Sequence, residues 1–118
     1  MTLNAGTFAC RDDAEAHYLA VIDKAAADER WIDPAQAEMY RQKLSQAQVG
    51  GGGLINAEAA ALGTDAETVR QAVLRNHQRW QQRITHIELA RVQAKASIRN
   101  ASTAAHMQAV YQTFKESL

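Results

Sequence analysis

A chain of 118 residues with 13 basic and 13 acidic side chains is the size of one domain, and its zero formal charge argues against a general polyanion binder. Its one cysteine excludes an intrachain disulfide and a thiolate zinc site, and no apolar run reaches the ~18 residues of a membrane span. Hydrophobic residues make up 47% of the chain, but much of that is alanine beside two Trp, three Tyr and two Phe, so a single core would be thin and partners would add to its stability.

Residues 1–11 lack periodicity and are expected as an extended arm, without the basic and apolar regions of a signal peptide. Asp12 or Asp13 is the expected N-cap of a first helix carrying Ala14, Tyr18, Val21, Ile22 and Ala25 on one side and ending near Arg30. Trp31 and Ile32 follow in the connection, where they are expected to pin it to the core. Asp33 and Pro34, with Gln36 three residues after the aspartate, supply a cap, an N1 proline and a capping-box partner for a second helix. That helix carries Ala37, Tyr40, Leu44 and Ala47 and stops at Gly50-Gly51-Gly52-Gly53. Four residues with no side chain to bury predict a flexible linker. No Gly-Lys-Ser/Thr follows and no strand precedes, so the run is not a phosphate-cradling loop. Residues 12–49 are thus expected as an N-terminal helical pair, 50–53 as a glycine linker and 54–118 as a helical hairpin.

Residues 54–62 predict a short helix capped by Asn56 and closed by Gly63. Thr64-Asp65-Ala66-Glu67 reads as a capping box opening a long helix to about Asn100, free of Pro and Gly. Between Arg70 and Arg99 it holds seven basic residues and one acid, Glu88. At ~50 Å such a helix exceeds what a globule of this size covers. Val73, Trp80, Ile87 and Ala94 recur every seven residues, with His77, Ile84, Arg91 and Ile98 four residues after each, a near-heptad seam. Leu74, Leu89 and Val92 lie off that seam and suggest a second contact face. Ser102 or Thr103 is the next N-cap. The last helix carries the stripe Met107, Val110, Tyr111, Phe114 and Leu118, expected to pack on Val73, Trp80 and Ile87. No segment alternates with a period of two, so the chain reads as all-α.

Charge is unevenly spread. Residues 1–40 hold eight acids and three bases, residues 41–118 ten bases and five acids, so the front is expected to pair with the basic helix within the chain or in a neighbouring copy. His17, His77, His86 and His106 have no i, i+4 partner among themselves and no HExxH occurs. No GxSxG is present, Cys10 stands in no nucleophile context, and Asp12, Asp13 and Glu15 are explained by a helix start. No catalytic, metal-binding or cofactor-binding residue is assigned, and the protein is read as non-enzymatic. Arg75, Arg79 and Arg83 fall along one side of the long helix and are the candidate contacts for an acidic partner or phosphates. A charge-paired or solvated face is the plainer reading of them. Val73, Trp80, Ile84, Ile87, Met107, Val110, Tyr111 and Phe114 are the candidate partner or subunit contacts.

The second half is similar to stretches found in small virion-associated and tail-fibre-associated proteins of tailed bacteriophages. The resemblance is carried by Leu54-Ile55-Asn56-Ala57-Glu58-Ala59, by residues 69–80 with their Trp80, by Ile87-Glu88 with Arg91, Lys95 and Ile98, and by Ala101 and Thr103. Tyr40-Arg41-Gln42-Lys43 with Ala47 fits the same style. It covers roughly residues 18–114 and leaves the first ten outside. It implies a structural or assembly component of the tail, the tail-fibre attachment or the head–tail region, assembled in the host cytoplasm and ending in the virion. Its expected partners are further copies of itself and other phage structural proteins. A small helical inhibitor of a host protein, of anti-defence type, is the alternative; nucleic-acid binding is the weaker one.

Overall fold

The computed structural model describes residues 8–118; most of the expected arm lies on residues 1–7, outside them. The described residues hold five helices and no strand: α1 (Arg11–Arg30), α2 (Pro34–Gln48), α3 (Gly53–Leu62), α4 (Ala66–Asn100) and α5 (Ala104–Ser117). The fold is all-α, as the periodicities predict.

The helix ends show which local signals act. α1 starts before the expected caps: Cys10 is extended and gives no side-chain cap. Asp12 and Asp13 sit instead in the first turn, where their charges face unpaired N–H groups. At α2 the expected cap forms, the Asp33 carboxylate accepting from the N–H of Ala35 at 3.1 Å and of Gln36 at 3.2 Å. Asp65, not Thr64, caps α4 by accepting from Thr68 N–H at 2.7 Å. Thr103 does the same for α5 through His106 N–H at 3.1 Å.

The cap of α3 comes from another helix. Gln46 of α2 accepts through Oε1 from the N–H groups of Leu54 (3.0 Å) and Ile55 (3.2 Å), the role expected of Asn56. A Cβ on Gly52 would meet the Gln46 Cδ at 2.4 Å, so a glycine is needed where Gln46 crosses the turn. Gly53 is already helical and leaves only residues 49–52 between α2 and α3. At its other end α3 closes on Gly63 in the left-handed region (φ 68°), as the sequence predicts.

The chain forms two compact units: one takes the residues up to Trp31 together with Ile84–Leu118, the other Ile32–Arg83. These divisions differ from those expected at 50–53. α2 and α3, on either side of the glycines, belong to one unit, because Ala47 and Ala59 are small enough to pack both helices into a shared core. α4 contributes to both units, residues 66–83 to one and 84–100 to the other.

In the first unit, Tyr18 and Ile22 of α1, Ile87 and Ile98 of α4, and Met107 and Phe114 of α5 form the core, with alanines filling the narrow places. The acidic α1 therefore does lie against the basic α4. In the second, Ile55, Val69 and Val73 join Ala47 and Ala59, with Leu44 and Leu74 packed against them. The expected packing of the α5 stripe on Val73, Trp80 and Ile87 is corrected: Ile87 shares a core with Met107 and Phe114, whereas Val73 belongs to the other unit. Trp31, expected to pin the connection, is 70% exposed. It is the C-cap of α1, where the backbone turns extended and leaves the face that α1 buries.

Two outcomes follow from this packing. Gly53→Ala should stabilise the protein by roughly 0.5–1 kcal/mol, since it meets no neighbour and alanine is the better helix former. Gly52→Ala should destabilise it by about 1–3 kcal/mol, since displacing Gln46 strips two N–H groups of their acceptor; urea unfolding measures both. Only Ile55 in the second unit is a large, fully buried side chain, against five in the first. Amides of α2 and α3 should therefore exchange with solvent at least about ten-fold faster than those of α1 under native conditions; equal protection would contradict this reading.

Candidate protein-contact site

The site is built on the first unit and begins with how α1 fixes the orientation of α4. At 3.6 residues per turn, Ile87, Arg91, Lys95 and Ile98 share one side of α4. Ile87 and Ile98 enter the core, and the two cations reach Asp23 of α1. Arg91 donates from Nη1 to Asp23 Oδ1 at 2.9 Å, and Lys95 from Nζ to Oδ2 at 2.9 Å. Arg91 also forks onto Glu88 within its own helix, at 2.9 and 2.7 Å, and Arg30 approaches that Glu88 at 3.6 Å. The single acid of the basic stretch is therefore used inside the network. Hydrogen bonding from Lys95, assisted by Arg91, holds the Asp23 carboxyl below its ordinary range.

Arg11 closes the same unit from the N-terminal side. Its Nε donates to the carbonyl of Ala101 at 2.9 Å and its Nη2 to that of Arg99 at 2.8 Å, satisfying acceptors that a helix end leaves unpaired. α5 is held to α1 by the Tyr18 hydroxyl, which donates to Gln108 Oε1 at 2.7 Å, and by the Tyr18 and Tyr111 rings at 6.1 Å. Burial pushes the Tyr18 hydroxyl up, so it stays protonated and donating.

α5 runs closest to α1, and a groove of about 620 Å³ opens between α5 and α4. α4 lines it with His86, Leu89, Ala90, Gln93, Ala94 and Ser97; α5 lines it with His106, Ala109, Val110, Thr113, Phe114 and Ser117. At one end His86 Nε2 lies 2.8 Å from the Ser117 carbonyl. In a chain with 22% charged residues, none of these twelve is Asp, Glu, Lys or Arg. Beside small side chains stands Leu89, 58% exposed. The recess carries no Asp, Glu, Lys or Arg, mixes small and uncharged polar side chains, and offers one large apolar side chain to solvent.

The sequence-predicted contact residues are dispersed by the fold. Val73, Ile87, Met107 and Phe114 are buried inside the chain's own cores, though Phe114 also backs the groove. Val110 and Tyr111 are half-buried against the first core, and Val110 lines the groove. Trp80 and Ile84 are half-buried and line no part of it. Arg75 and Arg79 are exposed and Arg83 half-buried, all in the second unit, and none is among the groove's lining residues. Leu89 was legible as an off-seam residue; Ala109, Thr113 and Ser97 carried no signal, because small side chains mark a recess only once the helices are placed. Among the described residues, no group of three or more His, Cys, Asp and Glu could hold a metal ion, and no helix is long and apolar enough to cross a membrane. Comparison with known proteins finds no matching family model, curated relative or solved structure.

The ion network makes a pH-dependent prediction. Asp23→Asn should lower stability at pH 7 by about 1 kcal/mol or less, since the carboxylate is half exposed and solvent screens it. The Asp23 pKa is depressed on folding, so its contribution is complete above the unfolded carboxylate range, about pH 4, and fades as pH falls through the folded value. Urea unfolding of both proteins should show the gap narrowing below about pH 4; a gap unchanged down to pH 2 would mean shape, not charge, holds Asp23.

Proposed function

We propose that the chain is a non-enzymatic assembly protein that works by protein–protein contact through the α4–α5 groove. The observation that supports this most directly is the lining itself: twelve residues, none of them Asp, Glu, Lys or Arg, with Leu89 exposed among them. Desolvating a charged lining would carry a large penalty that a partner must offset; this lining asks only for hydrogen-bond partners to its polar side chains, Gln93, Thr113 and the serines and histidines. The setting proposed, on the sequence resemblance alone, is a particle of a tailed phage, in its tail, fibre attachment or head–tail region, with other particle proteins and further copies as partners. Binding to a host protein would use the same groove and differs in its partner, not in its chemistry. The nucleic-acid alternative rests on Arg75, Arg79 and Arg83, which the charge balance of the chain does not favour.

The test is the size at which the protein migrates in a native lysate of its source. It should co-migrate with a high-mass particle at a fixed ratio to that particle's main protein. Leu89→Arg should reduce the particle-bound fraction at least about ten-fold, since it would bury an unpaired charge against a lining that has none. A chain that migrates only as one or two copies of itself would overturn the assembly reading.

A further inference from the structure

We infer that the outward side of α4 in the second unit is a contact surface of its own, one that takes an acidic helix of a protein partner on Arg75 and Arg79. It is separate from the groove, whose lining belongs to the first unit. At 3.6 residues per turn, Gln71, Arg75, Gln78, Arg79 and Gln82 share one side of α4, opposite the Val69 and Val73 that enter the core. All five are exposed.

The charge on this side is unanswered, which is not the habit of the chain. Arg41 forks onto Glu38 and Arg70 onto Glu67, each acid three residues before its arginine, at 2.7 and 2.8 Å. Arg91 does the same with Glu88 in the first unit. Three residues before Arg75 stands Ala72, and three before Arg79 stands Asn76. No acid lies within four residues of either arginine along α4. The other acids of the unit are already engaged, Glu58 with Lys43 and Asp33 and Asp65 as helix caps. Like charges one turn apart lower helix stability, so the two arginines stand together at a small loss that an anionic neighbour reverses.

Magnitude chooses the anion. A nucleic-acid duplex presents one charge per ~1.7 Å, about ten along a face of roughly 16 Å. Two arginines in a chain of zero formal charge answer few of them. Two carboxylates one turn apart on a helix match two guanidiniums one turn apart, in the forked geometry that the chain already uses within itself. The glutamines beside them donate to and accept from a partner's polar groups. Arg83 is half-buried and stands outside the site. The protein then carries two surfaces of unlike character, an uncharged one on the first unit and a cationic one on the second.

The test is an NMR titration of the full chain at low ionic strength. The probe is an alanine-rich helical peptide of about 18 residues with glutamates one turn apart along one side. Amide shifts should saturate at roughly millimolar peptide, the weak affinity of two exposed ion pairs, and cluster between residues 71 and 82. Arg75→Gln with Arg79→Gln should weaken binding at least about three-fold, the share of one or two such pairs. Tm should be no lower than in wild type, since glutamine is a comparable helix former. Asn76→Glu keeps both arginines but gives Arg79 the acid it lacks, so binding should weaken while Tm holds or rises. Should the double variant fail to fold, Asn76→Glu alone decides. Absence of saturable binding, shifts indifferent to both variants, or equal binding of a peptide with glutamines for glutamates overturns the proposal. Tighter binding of a short duplex DNA to the same side overturns it as well.

Discussion

The length of α4 constrains everything else. Thirty-five residues at 1.5 Å rise make a rod of about 50 Å, and no core built from a chain this short can cover such a rod on one side. The sequence answers by giving different stretches of α4 different neighbours. Val69 and Val73 serve a core with α2 and α3; Ile87, Ala94 and Ile98 serve another with α1 and α5. The chain is divided inside a helix, not at its glycines, because one side of α4 meets different neighbours along its length, α2 and α3 at Val69 and Val73, α1 and α5 at Ile87, Ala94 and Ile98.

Charge is distributed by the same logic. Arg91 and Lys95 stand where α4 faces α1, and Asp23 answers both. Arg70 is taken up by Glu67 and by the Ala47 carbonyl in the other unit. What is left of α4 in the first unit is a side with glutamine, serine, histidine and alanine, and α5 turns a similar side toward it. The Tyr18–Gln108 bond and the Tyr18–Tyr111 contact hold α5 to α1, while α5 meets α4 through the shared core and at the His86–Ser117 contact, with the small residues of the groove between them.

How far the sequence reveals this depends on whether a signal is local. The Asp33 cap, the Thr103 cap and the left-handed Gly63 were legible because each acts within one turn of its own position. The acidic front meeting a basic helix was legible as a charge asymmetry. Arg11 on the carbonyls of Arg99 and Ala101, and Gln46 on the N–H groups of α3, were not, since a side chain capping a distant helix has no spacing rule. The seven-residue repeat from Val73 to Ala94 misled for a physical reason: a repeat can continue through a helix while the neighbours on either side change. The glycine run marks the end of α2 as expected, but Gly53 belongs to α3, and the Gln46 side chain that caps α3 could not be read from the glycines.

Thin cores and an open groove of small, uncharged side chains share one cause. Alanine makes up much of both cores, and it lets helices approach closely while burying little area, so each unit is held by few large side chains. Filling the groove with longer residues from within would thicken the first core, yet the lining keeps Ala90, Ala94 and Ala109 small and leaves Leu89 outside. That arrangement leaves apolar surface unburied in the single chain. A second surface on the groove, as proposed, would draw on the folded form alone and would add to stability with the logarithm of its concentration.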